Sequence, residues 1–121
     1  MEKHRSKFED SIAKLYPNLV YECIKLNYTV PSTKHLYIPD FKLVTKSNKV
    51  IWIEAKGLFK AADRKKMLLV KEQYPDLDIR FVFQNPNVKI SKTSQTTAAE
   101  WCIKHGFKYG NIKTIEKWLM E

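Results

Sequence analysis

Apolar positions change period several times along this chain, and each change marks an element. Phe8, Ile12 and Leu15 fall at i, i+4 and i+7, the spacing of one helix face. Ser6 is placed to cap that helix and Pro17 to end it, so a helix is expected over residues 7–16. From 19 to 28 the period shortens to two: Val20, Ile24, Leu26 and Tyr28 share a parity that Glu22 interrupts, which predicts a strand. Pro31-Ser32-Thr33-Lys34-His35 reads as a loop. Residues 37–45 and 49–56 read as two strands of a hairpin turning near Ser47-Asn48. A helix over 61–74 follows, with Met67, Leu68, Leu69 and Val70 as its apolar cluster, stopped before Pro75. Asp78-Ile79-Arg80-Phe81-Val82-Phe83 begins a strand over 78–84, and strand, helix and strand together form a βαβ unit with parallel strands. Thr97 and Glu100 have capping-box spacing ahead of a helix at 98–105, Gly106 is placed to end it, and a short helix is expected at 114–120. The predicted fold is α/β, a small mixed sheet with helices on its faces. With no internal repeat and no Gly- or Ser-rich linker, residues 1–121 read as a single domain.

The hairpin carries a sharper expectation. Glu54 and Lys56 are two apart and point to one face, whereas Ile51, Ile53 and Ala55 point to the other. Directly opposed residues of an antiparallel pair have numbers of constant sum. A two-residue Ser47-Asn48 turn gives a sum of 95, which sets Phe41 against Glu54 and Asp40 beside Ala55. A sum of 94 sets Phe41 against Ile53, Leu43 against Ile51 and Asp40 against Glu54; a sum of 96 sets Asp40 against Lys56. Either even register gathers the apolar residues on one face and Asp40, Glu54 and Lys56 on the other. A one-residue slip would reverse every side chain, so the core selects the even register. A three- or five-residue loop, or a bulge, is therefore expected between the strands.

Charge adds a partner class. Lys and Arg number 22 against 13 Asp and Glu, a net +9 over 121 residues. Such an excess points to an anionic partner, nucleic acid first, although a highly charged soluble surface has the same composition. The basic residues are spread along the chain, which favours a lined groove over a basic tail. No apolar run approaches the ~20 residues of a membrane span. The first residues lead into a charged helix rather than a signal-peptide core, so an intracellular protein is expected. Cys23 and Cys102 lie in no CxxC pair and no zinc spacing; both are expected to be reduced, mostly buried thiols.

Asp40, Glu54 and Lys56 together have a chemistry that none has alone. An Asp after Pro is usually a turn or cap residue, and a Glu–Lys pair on a strand is usually a solvated face. Two carboxylates side by side repel, and a divalent cation relieves that cost. Hard oxygen donors suit Mg²⁺ or Mn²⁺, which also accept substrate phosphates. A neighbouring lysine can orient or deprotonate a water, or neutralise phosphate charge. The parity of the hairpin and the net charge favour this site over the separate ordinary readings.

Pro39-Asp40 followed by Glu54-x-Lys56 resembles the PD-(D/E)xK nuclease superfamily. The segments "HLYIPDF", "IEAKGLF", "DRKKMLLVKEQYPDLDIRFVF" and "EWCIKHGFKY" together resemble the bacteriophage endonuclease I family, the resolvases of four-way DNA junctions, from about residue 8 onwards. The resemblance implies a metal-dependent deoxyribonuclease that cuts Holliday and other branched junctions to 5′-phosphate and 3′-hydroxyl ends. It implies a homodimer with exchanged N-terminal elements, here about 7–30. It matches Glu9 to an acidic residue of the site, in its own subunit or across the dimer, whereas the spacing of Ser6 and Glu9 alone fits a capping box. The implied metal ligands are Asp40, Glu54, Glu9 and the backbone carbonyl of Ala55, around one or two Mg²⁺ with Mn²⁺ as substitute. Lys56 is implied to orient or activate water. A phage protein working in the host cytoplasm is implied, with no membrane partner and no small-molecule cofactor. The chain departs from the family in a longer hairpin loop, whose insertion keeps the parity even, and in ending at Glu121 without a basic extension, which bears on DNA affinity rather than chemistry.

Junction recognition then falls to phosphate contacts. The candidates are Lys34, His35, Arg64, Lys65, Lys66, Lys89 and Lys92; each alone is an ordinary surface charge, and about half of the set is expected to touch phosphates. His4 and His105 are expected at the surface and Trp101 and Trp118 in the core, while Trp52 either walls the pocket or packs under the N-terminal helix. The competing functions are another PD-(D/E)xK endonuclease, of restriction or transposon-end type, and a non-catalytic DNA-binding module.

Overall fold

The computed structural model describes residues 6–30 and 33–121, so His4, Pro31 and Ser32 lie outside the described residues. Helix α1 spans Lys7–Leu15, and Ser6 Oγ accepts the Glu9 N–H at 3.1 Å, an N-cap that satisfies one orphan donor of the first turn. The strand expected at 19–28 is two. Strand β1 is Val20–Tyr21 and β2 is Leu26–Val30. Between them Glu22 has φ of 43°, a left-handed kink that breaks the ladder. Thr33–Tyr37, which takes in Thr33–His35 of the expected loop and Tyr37 of the strand expected at 37–45, is instead β3, paired antiparallel with β2 from Leu26↔Tyr37 to Val30↔Thr33 in a separate two-stranded sheet. Its residues other than Tyr37 are exposed, so no apolar alternation announced it.

Strands β4 (Phe41–Val44) and β5 (Val50–Lys56) adopt the even register of sum 94: Phe41↔Ile53, Lys42↔Trp52, Leu43↔Ile51, Val44↔Val50. The Thr45 N–H donates to the Lys49 carbonyl at 2.8 Å and the Asn48 N–H to the Thr45 carbonyl at 2.9 Å, which leaves a three-residue loop. Asn48 takes its left-handed position, φ 65°, as such loops require. Helix α2 (Ala61–Gln73) leads to β6 (Ile79–Phe83), which lies parallel to β5. Helix α3 (Ala98–His105) has the complete Thr97/Glu100 capping box and ends on Gly106 at φ 76°. Three residues that the pattern did not reveal, Lys108–Gly110, form β7 parallel to β6, and α4 is Thr114–Leu119.

The main sheet has the order β1-β4-β5-β6-β7 and a core on each face. One face packs Phe41, Leu43, Ile51, Ile53 and Val82 against Ile12 of α1 and Ile115 and Trp118 of α4. The other packs Trp52, Phe81 and Phe83 against Met67 and Val70 of α2, Trp101 and Cys102 of α3, and Tyr28 and Tyr37 of the β2–β3 hairpin. Trp52 thus belongs to the α2 side and not beneath α1. Burial pushes the Cys102 thiol up to about 12, whereas Cys23, expected to be mostly buried, is exposed in the segment after the Glu22 kink. His105, expected at the surface, is half-buried with its ring centroid 4.5 Å from that of Trp101. The hairpin is tied to the end of α2: the Gln73 amide donates to the Thr29 carbonyl at 2.6 Å and accepts the Thr29 N–H at 2.7 Å, and the Tyr74 hydroxyl donates to the Asn27 carbonyl.

Candidate active site

Three neighbouring strands present a carboxylate at one level. Tyr21↔Phe41 and Phe41↔Ile53 are opposed across β1, β4 and β5, so the next level holds Glu22, Asp40 and Glu54. The Glu22 N–H donates to the Asp40 carbonyl at 3.0 Å, extending the pairing one residue beyond β1. Asp40 is 3% exposed, and its Oδ2 accepts the Ala55 N–H at 2.8 Å. The N–H and C=O of one residue in an extended strand point to the same edge, so the Ala55 carbonyl also faces the Asp40 side of β5. Glu9 reaches the same place from α1. It is 5% exposed, accepts the Tyr21 hydroxyl at 3.3 Å, and offers a carboxylate oxygen that lies, with oxygens of Glu22 and Asp40, in a group all within 4.8 Å of one another.

Glu54 completes the cleft from β5. Its Oε1 accepts the Tyr37 hydroxyl at 2.8 Å and its Oε2 lies 3.2 Å from Lys56 Nζ. Burial first, then the charge of Asp40, raises its carboxyl to about 7 against the pull of Lys56, Tyr37 and Lys66. Lys56 Nζ also sits 3.4 Å from Asp63 Oδ1 of α2. Burial works against its charge, but Glu54 and Asp63 outweigh burial and hold the ammonium above its ordinary range. The resulting open cleft, about 350 Å³, is lined by Glu9, Asp40, Glu54, Ala55 and Lys56 together with Asp63 and Lys66.

All four sequence-predicted catalytic residues, Glu9, Asp40, Glu54 and Lys56, therefore share one cleft within a single chain. Glu22 was missed. Its signal was the break it makes in the alternation of its strand, an acidic residue where an apolar one would continue the pattern. The donor set fits a hard divalent cation: carboxylate oxygens from three residues, two buried and Glu22 half-buried, within reach of one ion, and a fourth carboxyl whose ionisation a cation would favour.

The predicted basic residues fall into two groups around the cleft. His35, Lys65 and Lys66 line a depression between the β2–β3 hairpin and α2, with Lys34 exposed on the same hairpin. Lys89 lines a second depression with Lys60, which the sequence reading did not single out; Lys92 is exposed farther along that loop. Arg64 is half-buried and its Nη1 donates to the Phe59 and Ile90 carbonyls, bracing the two loops that form this second depression.

Among similar proteins, Endonuclease I of Escherichia phage T7 is 40% identical over 121 residues, an alignment covering 97% of this chain and 78% of the relative. Endodeoxyribonuclease 1 of Enterobacteria phage T3 is 42% identical over 111 residues, covering 88% of this chain and 70% of the relative. A family profile described as phage endonuclease I spans residues 1–121, and the chain belongs to that family.

Proposed function

We propose that this chain is a structure-selective DNA endonuclease that resolves four-way and other branched junctions by Mg²⁺-dependent phosphodiester hydrolysis. Membership of the phage endonuclease I family, with two relatives named as endonucleases, supports the hydrolysis of DNA. The observation that carries the mechanism is the row of carboxylates across β1, β4 and β5 with Lys56 beside it. Asp40, Glu9, Glu22 and Glu54 would hold one or two cations, with the Ala55 carbonyl as a further oxygen donor. Bound there, Mg²⁺ or Mn²⁺ supplies charge neutralisation for the phosphate and lowers the cost of generating the nucleophile.

The chain's own residues do the rest. Lys56, held by Glu54 and Asp63, presents an N–H donor at the cleft and orients water or neutralises phosphate charge. Lys65, Lys66 and His35 on one flank and Lys60 and Lys89 on the other meet the DNA backbone, so that branched shape rather than base sequence is read.

The same proposal includes a homodimer in which residues 7–30 are exchanged. That segment carries both Glu9 and Glu22, so exchange would split the site into Glu9 and Glu22 from one subunit and Asp40, Glu54 and Lys56 from the other. The contacts seen within one chain would then form between two.

The test is cleavage of a fixed four-way junction and its matched linear duplex, with Mg²⁺ or EDTA, by wild type and Glu54→Ala. Cutting of the junction only, with Mg²⁺ only and by wild type only, is expected. A folded protein that binds the junction and cuts nothing in any metal would leave a binding module. Equal cutting of the duplex would leave a nuclease of another type. Mixing Glu9→Ala with Asp40→Ala then tests exchange: activity returns only if the two residues of one site come from different subunits.

A further inference from the structure

Tyr37 ends β3 three residues before Asp40, and it is fully buried. Its ring packs in the core on the α2 side of the sheet, and Lys66 Nζ lies 5.3 Å from the ring centroid. Its hydroxyl donates to Glu54 Oε1 at 2.8 Å. A buried tyrosine hydroxyl needs a partner. Here the partner is a carboxylate whose other oxygen faces Lys56 Nζ, so each oxygen of Glu54 has its own donor. The terminal torsion of a glutamate is broad and soft. With Lys56 alone the carboxylate would turn about that donor; with two donors on two oxygens it has one orientation. A carboxylate oxygen only accepts, so in this contact the phenol is the donor.

We propose that Tyr37 is a positioning residue for the reaction, fixing the Glu54 carboxylate in the orientation that receives a divalent cation. Tyr37 touches neither the cation nor the DNA in this scheme; it acts through Glu54. The assignment rests on the reading of Glu54 as a cation ligand, and the experiment separates the two.

Mn²⁺ binding to the DNA-free protein is followed by the loss of the free-ion paramagnetic signal, for wild type, Tyr37→Phe, Glu54→Ala and the double variant. Tyr37→Phe keeps the ring under Lys66 and removes only the donor. Its half-saturating Mn²⁺ concentration is expected to rise about 10- to 100-fold, the usual effect of removing a hydrogen bond to a metal ligand. Junction affinity without metal should stay within about twofold, and raising Mn²⁺ should recover most of the single-turnover rate. Adding Tyr37→Phe to Glu54→Ala should change the residual Mn²⁺ affinity by less than about twofold, because the residue through which Tyr37 acts is gone. The double variant also keeps the test open if Tyr37→Phe alone does not fold, since both partners of the buried hydrogen bond are then removed together. Unchanged Mn²⁺ affinity in Tyr37→Phe, or an equal loss in both backgrounds, overturns the proposal. A wild-type protein that binds no Mn²⁺ overturns the ligand reading of Glu54 and Tyr37's role with it.

Discussion

Two charge clusters, each built on buried ionisable groups, sit at opposite ends of the same pair of parallel strands. At the start of β6, Arg80 is 0% exposed and donates to both oxygens of Asp78 at 2.8 and 2.9 Å and to both oxygens of Glu121 at 2.6 and 2.8 Å. Lys49 adds a second cation, 3.3 Å from Asp78 and 3.2 Å from Glu121. Hydrogen bonds from Arg80 lower Glu121 to about 2, and Asp78 is lowered as well, Arg80 and Lys49 outweighing its partial burial. At the far end of β5 the balance reverses. Glu9, Glu22, Asp40, Glu54 and Asp63 gather around Lys56 and Lys66, and Glu54 is raised to about 7, by burial and Asp40. The first group has its cations built in and holds the fold together. The second is short of positive charge in a cleft open to solvent, which is the condition of a site that completes itself with something from outside.

The comparison breaks if neutralising a carboxylate does the same thing at both ends. The largest expected effect is at the cleft: Asp40→Ala or Glu54→Ala should reduce Mg²⁺-dependent junction cleavage by at least about a thousandfold. Glu54→Gln, which relieves like-charge repulsion, should also raise the midpoint of thermal unfolding of the metal-free protein, so that stability and activity move in opposite directions. At the other end the expectation is the reverse. Arg80→Met strands two carboxylates and should cost about 3 kcal/mol in denaturant unfolding while leaving the cleavage rate per folded molecule unchanged.

A smaller effect sharpens the acidic side: Glu22→Gln should weaken Mn²⁺ binding and slow cleavage, each by about tenfold, since Glu9 and Asp40 remain. If Glu22→Gln has no effect on either, Glu22 belongs to the frame and not to the site. The smallest effect concerns pH. Glu121 is depressed in the folded protein, so its contribution to stability is complete above the unfolded value near 4.5 and disappears as pH falls through about 2. The stability gap between wild type and Glu121→Gln, measured by urea unfolding at stepped pH, should therefore be constant from neutral pH to about 5 and close toward pH 2. A gap that persists unchanged to pH 2 would remove Glu121 from the ion-pair group.

The hairpin shows what was legible in the sequence. Phe41, Leu43, Ile51 and Ile53 allow only even registers, and the observed sum of 94 is one of them. Asp40, Glu54 and Lys56 follow from that register without further information, because side-chain direction alternates strictly along a strand. Glu22 left only a break in the alternation, because its place beside Asp40 depends on its own left-handed backbone and on main-chain pairing, which that break does not specify. Strands β3 and β7 were missed for a related reason: one is mostly exposed and the other has three residues, so hydrogen bonding defines them more than apolar spacing does. The role of Arg64 was obscured by its neighbours. In sequence it belongs to a basic run with Lys65 and Lys66, but on the helix it turns inward to backbone carbonyls. The pairing of Tyr37 with Glu54 joins two separate sheets, and no local pattern encodes such a contact.

The Gln73 amide has one further consequence. It offers Thr29 of β2 the same acceptor and donor that a neighbouring strand would, at 2.7 and 2.6 Å. A strand edge without a partner is a template on which another chain can add. One side chain of a helix thus occupies the backbone position of β2 where a strand of another chain would otherwise add.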